Sequence, residues 1–396
     1  MNDIYPKVMS DISSWKLFQS KKQDMYCVGS IERDKFIQVP GKMINEIMSC
    51  IEYFDGTHSI QEIQEVLKND KYIKMDVAKF YLILCKADLV VNNKDSSIVT
   101  KQELEKLSFT LFKIPLSGIN TFISKLKKNF FITIAFITTF IIFAGILLLI
   151  FNYKALINAE TYSISNSYFI SFILSFLIYA ASILFHELSH AIIASKFNLK
   201  PKELIGALYL GFTPMVYLKI PGLYTISEKK RIIVWSAGIY MNMVIASFCS
   251  ILGLFFQGDL KNVLTITAVL NIGLVTSNLS PLLPLDGYFI MSTLLKTPNL
   301  RKESFVQFKK WITRKKNKFS GIFAIYFVAT TLFIGGFLIS QLYWMFSMVI
   351  ESYRRNHDIL EALSKPKYVY ILILMILTRI MLQKIFVKRN GSKKTA

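Results

Sequence analysis

Histidine and cysteine are scarce in this chain of 396 residues, which has four of each. The cysteines, Cys27, Cys50, Cys85 and Cys249, show no CxxC spacing, which argues against a disulfide framework and against a zinc-finger motif. The chain also lacks internal repeats, glycine-rich linkers and low-complexity tracts. We therefore expect ordinary folded segments, with the cysteines reduced and used for packing.

Acidic residues are scarce as well: 26 Asp and Glu stand against 47 Lys and Arg, and the formal net charge is +21. Basic runs can hold phosphate, so nucleic-acid binding is one interpretation. The large basic clusters instead flank apolar segments, which is typical of cytoplasmic loops in membrane proteins. No nucleic-acid fold signature accompanies them, so we expect the lipid bilayer to be a partner and nucleic acid not to be one.

Apolar segments are abundant, since 53% of the residues are hydrophobic and 32 are Phe. This composition exceeds what one soluble core needs. Twenty helical residues rise about 30 Å, the thickness of the hydrocarbon core of a bilayer. We predict a mostly α, polytopic six-helix membrane protein. The six candidate spans are about 130–151, 168–197, 232–256, 263–285, 321–348 and 367–387.

Basic residues orient these spans. Between residues 296 and 318 there are nine Lys or Arg and one acid, Glu303. The positive-inside rule places this loop in the cytoplasm. Alternation of six spans then places both termini in the cytoplasm of a multi-pass protein of the cell membrane. No segment resembles a cleavable signal peptide, so we expect insertion to use internal spans.

Two of the four histidines, His186 and His190, lie in the string HELSH inside the second apolar segment. Imidazoles four residues apart share one helix face and can bind one zinc ion, with Glu187 placed to act as general base on its water. HExxH also occurs by chance in ordinary helices. Ionisable residues are costly in lipid, however, and are usually retained there for function.

A second polar group of residues lies at the cytoplasmic end predicted for the fourth apolar segment, in the string NLSPLLPLDGYF. It offers Asp286 as a third ligand, which completes the three protein ligands of a catalytic zinc site. Both strings reach a similar depth near the cytoplasmic leaflet, because both segments run from outside to inside. We predict one Zn2+ per chain, held by His186, His190 and Asp286.

The two strings together resemble those of the site-2 protease family, membrane-embedded zinc metalloproteases that pair HExxH with a distant NxxP…LDG motif. The string SAGIYMN, which ends at Asn242, is similar to the AGPxxN helix of that family, although Ile239 replaces the usual proline. The form NxxPLLxLDGY, followed by LLKTPNLR, resembles a bacterial subgroup of peptide zinc metalloproteases. The resemblance implies an endopeptidase whose catalytic base is Glu187.

Several residues around the ligands are expected to position the substrate. Pro281 and Pro284 should unwind the fourth span and free backbone groups for an extended peptide, although an ordinary kink is the alternative. Asn278 can bond the substrate or its developing oxyanion, or make an interhelical hydrogen bond. Gly and Pro in the segment 203–226 favour a hairpin or re-entrant loop. The expected positioning residues are Asn278, Pro281, Pro284, Gly287 and Asn242.

The first 115 residues mix charged and apolar side chains as a soluble domain does. KFIQVP alternates like a strand, and GTHSIQEIQEVL predicts a turn, a cap at Thr57 or Ser59, and a helix with Glu62 in its first turn. This order resembles winged-helix or PqqD-like domains that bind leader peptides; a plain helical domain is the alternative. We predict a cytoplasmic α/β winged-helix-like domain at 1–115 and a six-span metalloprotease domain at 116–396.

These patterns favour a membrane-embedded zinc endopeptidase that cuts a peptide or a membrane-tethered substrate. The resemblance implies maturation or export of a ribosomally made, modified, bacteriocin-like peptide, with a peptide-modifying enzyme or an exporter as a further partner. A non-catalytic receptor, immunity or export partner would keep the site as a relic, yet neither a ligand nor the base is missing. A transporter should show paired inverted broken helices, which we do not find in the sequence.

Overall fold

The computed structural model describes residues 4–19, 24–70, 75–91, 108–162, 164–165, 167–209, 213–297, 299–313 and 321–357. Most of these residues are helical, and two three-stranded sheets accompany the helices. The chain divides into two compact units. The first contains residues 4–91, which we call the N-terminal domain, and the described residues within 112–205 and 216–297. The second contains residues 108–111, 206–209, 213–215, 299–313 and 321–357.

The N-terminal domain begins with an antiparallel sheet in the order β1-β2-β3 and continues with three helices. Strand β3 contains the string KFIQVP, so that prediction is confirmed. The winged-helix-like assignment stays a prediction. The elements are β1 (Ser13–Phe18), β2 (Met25–Ser30), β3 (Lys35–Pro40), α1 (Ile44–Glu52), α2 (Ile60–Asp70) and α3 (Val77–Lys86).

A capping box starts α2. Ser59 Oγ accepts a hydrogen bond from the Glu62 backbone amide at 3.3 Å, and Glu62 Oε2 accepts one from the Ser59 amide at 2.7 Å. The bond from the Ser59 amide lowers the pKa of Glu62. Ile63 and Leu67 on the inner face of α2 are completely buried in the domain core. The predicted turn, cap and amphipathic helix are therefore confirmed.

Four helices of the first unit are long and apolar enough to cross a membrane; their apolar spans are Asn129–Phe151, Phe169–Lys196, Glu228–Leu252 and Gly258–Leu279. They correspond to the first four predicted spans. The central one is the third, which packs against the other three and against a short helix that follows the fourth. In chain order the helices are α4 (Ser117–Lys125), α5 (Lys128–Phe151), α6 (Tyr153–Ile157), α7 (Tyr168–Lys196), α8 (Glu228–Leu252), α9 (Gly258–Leu279) and α10 (Asp286–Leu294).

Two of these helices differ in extent from the predicted spans. Helix α8 begins at Glu228 and not near 232, because its charged first turn is helical although it is not apolar. Helix α9 ends at Leu279 and not near 285, since Pro281 and Pro284 cannot continue the helical hydrogen bonds. Asp286 consequently begins a new helix, α10.

A second sheet has the order β4-β5-β6, with strands β4 (Ser108–Pro115), β5 (Glu203–Tyr209) and β6 (Thr213–Lys219). Strands β5 and β6 form the hairpin expected within 203–226. The sheet is attached to α7, where Leu116 and Leu204 are buried against Ala191. Non-helical backbone is thus held beside the helix that contains HELSH.

The second unit contains α11 (Leu300–Ile312) and α12 (Gly321–Asn356), which pack together. The rings of Phe308 and Phe327 stack with centroids 4.0 Å apart. Helix α12 covers the fifth predicted span, but its apolar part, Gly321–Gly336, is shorter than the four spanning helices. The sixth predicted span, 367–387, lies outside the described residues. The number of six spans therefore stays a prediction.

Candidate metal centre

The string HELSH lies in the C-terminal half of α7, where His186 and His190 are both buried. Their ring centroids are 4.9 Å apart and their Nε2 atoms 3.2 Å apart. Residues at i and i+4 occupy the same helix face, so α7 alone brings the two imidazoles together.

Asp286 reaches the same point from α10. Its Oδ2 atom lies 3.0 Å from His186 Nε2 and 3.3 Å from His190 Nε2. Together with the separation of the two Nε2 atoms, these distances define a triangle with edges of 3.0 to 3.3 Å. Ligand atoms of a tetrahedral ion with bonds of about 2.0 to 2.1 Å are separated by roughly 3.3 Å. The triangle therefore has the size of one face of such a site.

Hydrogen bonds on the other ring nitrogens set the histidine tautomers. His190 Nδ1 lies 2.7 Å from the carbonyl oxygen of Val234 on α8. Because a carbonyl can only accept, His190 Nδ1 must hold the proton and Nε2 presents its lone pair. His186 Nδ1 lies 3.1 Å from the side-chain amide of Asn242, whose Oδ1 atom makes no hydrogen bond within the described chain. Flipping the Asn242 amide exchanges its nitrogen and oxygen, so that Oδ1 can accept a hydrogen bond from His186 Nδ1 just as the Val234 carbonyl accepts one from His190.

The three atoms that converge here, two histidine nitrogens and one carboxylate oxygen, would be stabilised by a cation between them. Asp286 Oδ2 is buried and makes no well-aligned hydrogen bond among the described residues. A carboxylate oxygen that faces two nitrogen lone pairs is repelled by them, and a buried anion without compensation is costly. A metal ion inside the triangle would neutralise the carboxylate and accept all three lone pairs. His186, His190 and Asp286 thus fit a metal ion.

Glu187 lies next to these ligands. Its carboxylate and the ligand atoms of His186 and His190 all lie within 4.8 Å of one another, so these three residues can also be grouped as a metal-binding set. Glu187 is less buried than either histidine. The backbone amide of Leu218 in β6 interacts with its carboxylate. The acid is therefore held at the border between α7 and the sheet, where it remains partly accessible.

Helix α8 approaches the histidines at a glycine. A Cβ atom added at Gly238 would lie 2.3 Å from His186 Nε2, so only glycine permits this approach. Asn242, one turn further along α8, is completely buried. The sequence motif had indicated Asn242, whereas Val234 gave no signal because it acts through its backbone carbonyl.

The residues expected to position the substrate shape the turn before Asp286. The Asn278 side chain donates to the carbonyl of Leu274 in its own helix, at 3.0 Å. Pro281 and Pro284 lie in the irregular stretch between α9 and α10. A Cβ atom at Gly287 would lie 2.4 Å from a carbonyl oxygen at the end of α9, so glycine lets α10 pack there. Their roles toward substrate stay predictions.

Comparison of the chain with protein-family models, with curated proteins and with solved structures finds no match. Function therefore has to be inferred from the residues of this centre and from their geometry.

Proposed function

We propose that this protein is a membrane-embedded zinc endopeptidase that cuts a peptide or a membrane-tethered substrate. The observation that carries the proposal is the triangle of His186, His190 and Asp286 with Glu187 beside it. Two imidazole nitrogens and one carboxylate oxygen are ligands that zinc prefers, and three protein ligands leave a position for water. The resemblance of both strings to the site-2 protease motifs supports the same chemistry.

When bound, zinc would supply Lewis acidity, which lowers the pKa of a water ligand to about 7 and polarises a substrate carbonyl. Glu187 accepts the proton from the attacking water and delivers it to the leaving amine. His186 and His190 keep their rings fixed through Asn242 and the Val234 carbonyl. Asp286 supplies the negative charge that offsets the charge of the ion.

The scissile peptide has to be extended, because a helix keeps its carbonyls hydrogen-bonded internally. Two non-helical segments lie next to the centre: strand β6, whose Leu218 amide faces Glu187, and the stretch 280–285 before Asp286. We propose that the substrate backbone is received between them. In this proposal Asn278, which lies eight residues before Asp286, contacts the substrate or its developing oxyanion.

We also propose the finer features of topology and partner. The protein would have six spans in the cell membrane and both termini in the cytoplasm, with α12 and the segment 367–387 as the last two spans. The sheet and three helices of the N-terminal domain support a winged-helix-like or PqqD-like domain that recruits a ribosomally made, bacteriocin-like peptide. A peptide-modifying enzyme or an exporter would act on the same peptide.

Glu187→Gln tests the proposal. Glutamine keeps the shape of the side chain but cannot accept a proton, so we expect cleavage to fall at least about 100-fold. Zinc content should stay near one ion per chain, measured by elemental analysis of the purified protein. Asp286→Asn replaces an anionic ligand with a neutral one and should lower zinc content as well as cleavage. Peptide products from cells carrying each variant are compared by mass spectrometry.

A Glu187→Gln protein that yields the wild-type product at a normal rate would contradict the protease proposal. That result would favour the alternative, a non-catalytic receptor, immunity or export partner. A wild-type protein that binds no zinc would refute the proposed metal centre itself. The His186→Ala, His190→Ala double variant serves as the metal-free control.

A further inference from the structure

The N-terminal domain contacts the helices around the metal centre through the segment from Leu17 to Gln19, which we call the β1 end. The side chain of Arg231 in α8 donates a hydrogen bond to the Leu17 carbonyl. The Gln19 amide donates to Glu228 Oε1 in the first turn of α8, at 2.7 Å. Lys296, which follows α10, donates to the Gln19 carbonyl. One short segment therefore contacts both α8 and the end of α10.

Arg231 is the most deeply buried of these contacts, with 1% of its surface exposed. Its guanidinium carbon lies 4.9 Å from the ring centroid of Phe18 and 5.8 Å from that of Tyr224. It forms no ion pair with an acid among the described residues. A buried cation without an acid depends on its remaining contacts, here a carbonyl and two aromatic faces. Arg231 is thus anchored mainly on the N-terminal domain.

The residues of α8 that touch the metal ligands lie on the same helix face as Arg231. Val234, Gly238 and Asn242 follow it at three, seven and eleven residues, the spacing of one helical stripe. Val234 is about 4.5 Å further along the helix axis. Its carbonyl is the acceptor that fixes His190. Because both residues lie in the same turn of α8, a displacement of Arg231 would also displace the Val234 carbonyl.

The β1 end also contacts the chain just after helix α10, through Lys296. Helix α10 begins with Asp286, and Lys296 lies just beyond its other end. Trp235 on α8 and Phe289 on α10 stack with ring centroids 4.7 Å apart, which couples the two helices. The β1 end thus bridges the two helices that complete the metal centre around α7.

We propose that Arg231 is a positioning residue through which the docked N-terminal domain holds α8 in place against the metal ligands. The proposal rests on the proposed zinc centre and adds a role for the N-terminal domain besides peptide recruitment. Loss of the Arg231 contact frees the start of α8, so the Val234 carbonyl fixes the His190 ring less well. Removing outer partners of metal ligands typically weakens metal affinity 10-fold to 100-fold.

The test measures zinc affinity of the full-length purified protein by competition with a chelator, and coordination geometry by visible absorption of the cobalt-substituted protein. We expect Arg231→Gln to weaken zinc binding about 10-fold and to change the cobalt spectrum. Arg231→Lys keeps a charged donor and should restore part of the affinity. The matched control is Lys202→Gln: Lys202 donates to the Glu32 carbonyl of the N-terminal domain at 2.8 Å but belongs to no ligand-bearing helix. We expect wild-type affinity there.

Phe18→Leu is a second probe that leaves α8 unchanged and removes one ring from the guanidinium. It should weaken zinc binding in the same direction as Arg231→Gln, by a smaller factor. Wild-type affinity in both Arg231→Gln and Phe18→Leu would overturn the inference, and so would an equal loss in Lys202→Gln. These outcomes leave the proposed protease intact, whereas a wild-type protein without zinc would refute the centre on which the inference rests.

Discussion

Helices α5 and α8 are both long enough to cross a membrane, yet they differ in composition and burial. The most apolar 18 residues of α5 have a mean hydropathy of 2.9, and 11% of them are buried. The most apolar 18 residues of α8 have a mean hydropathy of 1.7, and 44% of them are buried. Helix α8 packs against α5, α7, α9 and α10, and it contains Arg231 and Asn242. The less hydrophobic helix is therefore the central one.

The difference shows what hydropathy measures in such a protein. Phe136, Phe140 and Phe143 on α5 expose 79%, 69% and 64% of their surface, as expected of side chains that face lipid. On α8, small and polar residues replace them where the helix meets the histidines. Exposed apolar residues are thus typical of the helix surface that would face lipid, whereas the small and polar residues of α8 lie at the candidate metal centre. Substitutions in α8 should act on metal binding, and substitutions in α5 on packing.

Among substitutions that leave the ligands themselves unchanged, the largest effect on the metal is expected from Gly238→Ala. The added methyl would lie 2.3 Å from His186 Nε2, so either α8 or the ligand has to move. We expect zinc content to fall well below one ion per chain. The control is Gly273→Ala in α9, where an added Cβ has no neighbour within 4 Å. That change should leave zinc content unchanged and slightly stabilise the helix.

Elemental analysis and thermal denaturation of the Gly238→Ala and Gly273→Ala variants distinguish the role of α8 from that of α9. Full zinc content in Gly238→Ala would contradict the close approach of α8 to His186. Equal zinc loss in both variants would mean that any change in a spanning helix disturbs the centre.

A smaller effect is expected from Asn242→Ala, which removes the side chain that fixes His186. Loss of such a partner should weaken zinc affinity 10-fold to 100-fold, measured by chelator competition. Asn271→Ala is the matched control, since Asn271 is also a completely buried asparagine and bonds Ser182 at 2.9 Å, not a histidine. It should lower the melting temperature and spare zinc affinity. The reverse pattern would refute the role of Asn242.

Much of this arrangement was predictable because it depends on local sequence. Length and hydropathy located α5, α7, α8 and α9, and the spacing of HELSH placed two histidines on one helix face. Asp286 was identified as a ligand candidate by its residue type beside helix-breaking prolines. The break in the fourth span was predicted from Pro281 and Pro284, but the new helix that Asp286 begins was not, because hydropathy continues beyond the prolines.

Other parts depend on contacts between distant residues and have no local signature. Strand β4 pairs in one sheet with strands about a hundred residues later in the chain, which no alternation of side chains reveals. The Val234 carbonyl acts through the backbone. The docking of the β1 end against Arg231 joins residues 214 positions apart. Such contacts follow from the tertiary fold and not from the spacing of residues in a motif.

The smallest effect on the metal is expected from Gly145→Ala in α5. A Cβ atom there would lie 2.3 Å from Ser247 Cβ and 2.4 Å from its Cα on α8, so the two helices have to separate. Such overpacking should destabilise the protein by about 1 to 3 kcal/mol, which outweighs the better helix propensity of alanine.

The melting temperature should therefore fall, while zinc content and affinity stay at wild-type values, because Gly145 touches α8 on the side occupied by Ser247 and not at Gly238. An unchanged melting temperature would show that the helices relax at no cost. A loss of zinc would be more informative: the packing of α5 would then extend to the ligands, and the division between a lipid-facing helix and a metal-holding helix would fail.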